Sequence, residues 1–162
     1  MNNKLLLIID IQQAFINKYT NHIPNLIEKH IDKNKYGKII LGKFINTSNS
    51  KFVKDLNWLG CLDEKDTKIV LEDYQKFPII ERTAYSVYND KLEKFLKENS
   101  IDTVYLCGLD TDACILKTAV DLFENNYNVK VLEKLCASSG GIEYHNYGIK
   151  LIKRFIGKDN II

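Results

Sequence analysis

The sequence predicts an α/β fold: a doubly wound, mainly parallel β-sheet with helices on both faces, in three layers. Two observations predict it. Short unbroken apolar runs recur, as at Lys4–Ile9, Lys38–Leu41 and Thr103–Cys107, and such runs suit strands buried on both faces. Stretches with helical spacing lie between them, at crossover lengths that fit βαβ units.

The elements follow in order. Lys4 to Ile9 is the first strand, ended by Asp10. Pro24 suits the first turn of a helix running to about Ile31, with Leu26, Ile27 and Ile31 on one face. Tyr36-Gly37 ends it, and Lys38 to Leu41 is a second strand. Phe52, Val53, Leu56 and Trp58 suggest irregular or partly helical structure, and Thr67 to Leu71 reads as a third strand. Glu72 to Asn89 carries Pro78 and several aromatics; it reads as a long functional loop with a short strand at Ile79-Ile80. Lys91 to Asn99 is helical, with Leu92, Phe95 and Leu96 on one face. Thr103 to Cys107 is a strand, and Asp112 to Asn125 a helix with Ile115, Ala119 and Leu122 inward. Val129 to Leu132 is a further strand. Gly140-Gly141 breaks the chain before a last helix, Ile142 to Phe155.

Residues 1–162 are expected to form a single domain, as the length alone suggests. A net charge of +2, with lysines scattered among acidic residues, argues against a nucleic-acid surface. The apolar run near the N-terminus is too short for a membrane span or a secretory signal. Four cysteines without a Cys-x-x-Cys pair predict free thiols in a reducing cytoplasm. Three histidines, with no metal-binding spacing among them, argue against a metal site, and no cofactor is expected.

In an open parallel sheet, ligands bind at the carboxyl ends of the strands. Asp10 ends the first strand, and Cys114 follows the strand at Val104, so both fall on that edge. Thr111 or Asp112 can cap the helix that follows, which places Cys114 in its first turn. Helix N-terminal N–H groups there are expected to lower the thiol pKa and to hold a developing oxyanion. Asp10 is the candidate general base. Arg82, Lys43 and Lys76 are the candidate cations beside the thiol, and His145 is an alternative base. Tyr74, Phe77, Tyr85 and Tyr88 are candidate walls of a small pocket. Cys61, Cys107 and Cys136 read as structural.

Three stretches, in order, resemble the isochorismatase-like cysteine hydrolases. Leu7-Ile8-Ile9-Asp10-Ile11-Gln12-Gln13-Ala14-Phe15 is similar to the family's opening motif, and Ile80-Glu81-Arg82-Thr83-Ala84-Tyr85-Ser86 to its middle motif. Cys107-Gly108-Leu109-Asp110-Thr111-Asp112-Ala113-Cys114 and the residues to Ala119 resemble its nucleophile motif. The resemblance runs from about residue 3 to residue 156 and implies a Rossmann-like three-layer fold.

It also implies an Asp-Lys-Cys triad, with Cys114 as nucleophile, Asp10 as base and Arg82 in the lysine's place. The backbone N–H groups of Asp110 and Cys114 would form the oxyanion hole, beside a cis peptide at Leu109-Asp110. Phe15, Tyr85, Ser86 and Thr111, which lie in these motifs, are the candidates for lining the substrate pocket. An arginine cannot give up its proton as a lysine can, so Arg82 would act as a fixed charge, and it could also recognise a substrate carboxylate. Nicotinamidases of the family carry an Asp-x-His and a further His after the second strand. Phe44-Ile45-Asn46-Thr47-Ser48 has neither, which disfavours that activity and its metal. The implied function is metal-independent cleavage of a C–N bond in a small amide or ureido compound through a Cys114 thioester. Two alternatives are a vinyl-ether hydrolase using Asp10 as acid and a catalytically silent small-molecule-binding member. The family often forms dimers or tetramers, so a homo-oligomer is compatible with the resemblance.

Overall fold

The computed structural model describes residues 3–162. In chain order the strands and helices are β1 (Lys4–Ile9), α1 (Ile23–Lys33), β2 (Lys38–Phe44), α2 (Lys51–Lys54), α3 (Glu64–Thr67) and β3 (Ile79–Arg82), then α4 (Asp90–Glu98), β4 (Thr103–Gly108), α5 (Leu116–Glu124), β5 (Asn128–Cys136) and α6 (Ile142–Ile156). The five strands form one parallel sheet in the order β3-β2-β1-β4-β5. From β1 the chain winds outward through β2 to β3, then crosses back to β4 and winds the other way to β5. Right-handed crossovers therefore put α1 on one face and α4 and α5 on the other. The expected fold class is the observed one.

The central strand explains why this arrangement holds. Leu5, Leu6, Leu7, Ile8 and Ile9 are all at most 1% exposed, so both faces of β1 are covered. Its partners are in tight register: Leu7 lies between Ile40 of β2 and Leu106 of β4. Removing one such side chain costs about 2–5 kcal/mol. Ile23 and Ile27 seat α1, one turn apart, whereas the expected facing residue Leu26 is 37% exposed. In α4 the side chain of Asn89 caps the helix, accepting from Lys91 N and Leu92 N at 3.0 and 3.1 Å, and Leu92 and Leu96 are buried.

Two expectations are corrected. Thr67 to Leu71 is not a strand of the sheet. Ile69 makes a single antiparallel bridge to Gln12, with Gln13 N donating to Lys68 O and Val70 N to Ile11 O. The segment spends its backbone bonds on the loop leaving β1, and Ile79–Arg82 takes the sheet edge instead. The helix around Cys114 does not begin as an ordinary α-helix capped by Thr111 or Asp112. Thr111–Ile115 form a π-helical turn, entered from Asp110 without a side-chain cap, and α5 starts at Leu116.

Candidate active site

The strand order reverses between β1 and β4, and ligand crevices in open α/β sheets form at such a point. Asp10 leaves the end of β1 in the left-handed region, φ 54°, a conformation that aspartate tolerates better than most residues, and its N–H donates to Gly42 O at 3.0 Å. Beside it, β4 ends in Gly108, φ 119°, where a Cβ would stand 2.0 Å from Ile9 O. Only glycine lets β4 run this close to β1 while the chain turns toward Cys114. The Leu109-Asp110 peptide that follows is cis. Gly148 of α6 serves the same turn from outside, since a Cβ there would meet Asp112 N at 2.7 Å. Helix α6 thereby packs directly on the segment that carries Cys114.

Arg82 ends β3, two strands away from Asp10. Crossing two strand spacings takes about 10 Å, which calls for a long side chain. The guanidinium makes a fork on Asp10: Nη1 donates to Oδ1 at 2.5 Å and Nη2 to Oδ2 at 2.7 Å. Nη2 also donates to Tyr85 O at 3.1 Å, and the Phe44 ring lies 5.5 Å from the guanidinium carbon. Both side chains are buried, at 3% and 0% exposed. The Asp10 carboxylate and the Arg82 guanidinium both lie close enough to the Cys114 thiol to act on its charge. Asp10, Arg82 and Cys114 thus come together as expected.

Two expectations about them change. Burial first, and then the negative charges of Asp10 and Asp110, push the Cys114 thiol well above its usual range, although Arg82 pulls the other way. The helix start does not overcome this, so the resting group is the thiol. Arg82 does not line the pocket, and its outer nitrogens are spent on Asp10 and Tyr85, so it is not placed to bind a substrate carboxylate.

Cys114 opens onto a pocket of about 640 Å³. One wall is a continuous aromatic cluster. Phe15 stacks on Trp58 at 5.6 Å, Trp58 and Phe52 meet Phe44 at 5.6 and 5.0 Å, and Phe52 meets Tyr85 at 4.9 Å. The pocket lining also holds Asp110, Asp112, Ser138 and Ser139. Asp110 accepts from Ser139 N and Oγ at 2.7 and 2.5 Å; burial nevertheless raises its carboxyl to about 6.

Of the expected pocket residues, Phe15 and Tyr85 line it, and Ser86 and Thr111 do not. Ser86 Oγ accepts from Tyr88 N at 3.1 Å. Thr111 is fully buried, and its hydroxyl pairs with His145 Nδ1 at 2.8 Å. That pairing turns His145 away from the thiol, and it lines a separate cavity near Tyr19 and His22. Tyr74 and Phe77 pack against the hydrophobic core and Tyr88 against Tyr127, and neither they nor the remaining cations line the pocket. Lys43 pairs with Glu81 at 3.1 Å, and Lys76 faces Asp73 on the surface.

Sequence reasoning missed the aromatic wall from Phe44, Phe52 and Trp58, and also buried Gln12. Gln12 joins the ends of β1 and β2: Phe44 N donates to its Oε1 at 2.7 Å, and its Nε2 donates to Phe44 O at 2.9 Å. A glutamine two residues past a buried strand was the available signal.

The isochorismatase-domain family profile matches residues 4–158. The chain belongs to the isochorismatase family. Isochorismatase family protein 2A of Dictyostelium discoideum is 29% identical over 124 residues, which cover 75% of this chain and 51% of that protein. The chain thus spans about half the length of that relative. An isochorismatase-like hydrolase from Alkaliphilus metalliredigens superposes with a TM-score of 0.83 at 23% identity, over 94% of this chain and 91% of that one. The pyrazinamidase of Pyrococcus horikoshii in complex with zinc gives 0.83 at 20% identity, over 98% and 97%. Both likenesses show the isochorismatase-like fold. After β2, the buried Asn46 amide donates to Trp58 O and Gly60 O and accepts from Thr47 N and Ser50 Oγ. Among the described residues no three His, Cys, Asp or Glu side chains cluster to hold a metal ion. No described helix is long and apolar enough to cross a membrane.

Proposed function

We propose that this family member is a cysteine hydrolase that cleaves a C–N bond in a small amide or ureido compound without a metal. The juxtaposition of Cys114, Asp10 and the pocket carries this reading. Because burial holds Cys114 protonated, attack needs a base in contact with it, and Asp10 is the carboxylate within reach. Asp10 takes the thiol proton as sulfur adds to the substrate carbonyl. The C–N bond breaks, the leaving nitrogen takes that proton from Asp10, and an acyl thioester remains on Cys114. Water then gives a proton to Asp10 and adds to the thioester, and the sulfur leaves and regains the proton. The backbone N–H groups of Asp110 and Cys114 are the donors proposed for the oxyanion.

Arg82 is a positioning residue. Its fork holds both Asp10 oxygens and keeps the pair neutral in a dry site. The same fork favours a second reading, a binding protein in which Asp10 never exchanges a proton. Release of amine or ammonia from a panel of small amides and ureido compounds separates the two. Hydrolysis by the wild type, lowered about a thousandfold or more in both Cys114→Ala and Asp10→Asn, supports the hydrolase. Activity lost in Asp10→Asn but kept in Cys114→Ala would instead point to an acid-catalysed reaction such as vinyl-ether hydrolysis.

A further inference from the structure

The pocket walls hold no lysine, arginine or histidine, and they hold two carboxylates, Asp110 and Asp112. Arg82, which acts on Cys114, is not part of the lining and is already forked onto Asp10. Asp112 Oδ1 is buried with no hydrogen-bond partner. A buried, unpaired carboxylate oxygen is costly unless something donates to it. The same pocket is lined by the rings of Phe15, Trp58, Phe52 and Tyr85, whose π-faces attract cations. A lining of carboxylates and aromatic rings suits an organic cation and repels a carboxylate.

We propose that the substrate carries a positively charged group, an amine, guanidine or quaternary ammonium, held by the aromatic wall and by Asp110 and Asp112. This rests on the hydrolase reading and names its substrate class. It also gives the acids a role in the chemistry. Arg82 offsets Asp10, but Asp110 also acts on Cys114 and has Asp112 beside it, and a thiolate or oxyanion must form against that negative charge. A cation brought in by the substrate offsets that charge where the reaction needs it. A neutral amide of the same shape would leave it in place.

The test uses choline, its neutral carbon isostere dimethylbutanol, and the tert-butylacetate anion. Trp58, the only tryptophan of the chain, stands in the pocket wall and reports binding by fluorescence, and calorimetry gives a second readout. Both wild type and Cys114→Ala are titrated, so charge preference is read whether or not Cys114 is a nucleophile. Choline is expected to bind at least about tenfold more tightly than dimethylbutanol near neutral pH. Asp110 faces Asp112 from its own turn, Asp10 from the end of β1, and the Cys114 thiol, and it loses its charge as pH falls through about 6. The preference therefore shrinks below that pH, and it shrinks again in Asp112→Asn. No binding of choline by either readout, equal binding of dimethylbutanol, or tightest binding of tert-butylacetate would overturn the proposal. A preference indifferent both to pH and to Asp112→Asn would overturn it as well.

Discussion

Replacing Arg82 by methionine removes one half of a fully buried ion pair and leaves the volume nearly filled. Asp10 is 0% exposed, and the fork at 2.5 and 2.7 Å is the pairing found for its carboxylate. Leaving a buried carboxylate uncompensated costs about 3–5 kcal/mol. The contact with the Phe44 ring at 5.5 Å is lost as well. At about 2–4 °C per kcal/mol for a chain of this size, the melting temperature falls by about 10 °C. Urea titration and a thermal scan, both followed by far-UV circular dichroism near neutral pH, read the loss. Arg82→Lys keeps the charge and gives up the fork, so its loss is smaller, about 1–2 kcal/mol. Adding Asp10→Asn to Arg82→Met removes the unpaired charge and regains most of the stability. An Arg82→Met protein within about 1 kcal/mol of wild type, or a double variant no more stable than the single one, would refute the buried-pair reasoning.

Three further outcomes follow from the geometry. Gly108→Ala places a Cβ 2.0 Å from Ile9 O at a φ of 119°, so soluble folded protein, measured by circular dichroism after purification, is expected to be lost. Asp110 has its carboxyl raised from 3.8 to about 6, so the folded state binds the proton more tightly than the unfolded chain. Its contribution is present below about 4 and is lost as pH rises through about 6; that shift corresponds to about 3 kcal/mol at most. Asp110→Asn should remove this slope from a plot of stability against pH, and a difference curve flat between those values would contradict it. Burial pushes all four thiols up, Cys61 and Cys136 to about 12 and Cys107 and Cys114 well above their usual range. Native protein at neutral pH should therefore alkylate with iodoacetamide far more slowly than urea-unfolded protein; one fast-reacting thiol in the native state would show that the charge balance around Cys114 is misread.

The sheet was legible because it is buried on both faces. Leu5 to Ile9 and Val104 to Cys107 have no polar residue to accommodate, so their sequence is an unbroken apolar run. Strand β5 extends to Cys136, past the expected end at Leu132, because Glu133 and Lys134 interrupt its apolar pattern near the edge of the sheet. Ile69 and Leu71 mimic a strand because they are buried under the loop after β1, and burial alone does not say which backbone takes the hydrogen bonds. At the site, Asp10 and Cys114 were legible from their places after strands, since topology brings those ends together. Arg82 was one of three candidate cations, and only its motif singled it out, since its partner is 72 residues away in sequence. Of the aromatic wall, Phe15 and Tyr85 were legible through their motifs, but Phe44, Phe52 and Trp58 were not. It is built by rings from the loop after β1, the end of β2 and residues 52–58, which no local periodicity connects. The thiol's upward shift was hidden for the same reason: it comes from burial and from carboxylates on two different strand ends.

The central claim is that Cys114 forms a covalent acyl intermediate. The direct measurement is intact-protein and peptide mass spectrometry of acid-quenched reactions with each amide that the wild type turns over. The account predicts a mass increase equal to the acyl group, on the peptide bearing Cys114, in wild type and not in Cys114→Ala. Steady turnover by Cys114→Ala, or an acyl group found on another residue, would contradict it.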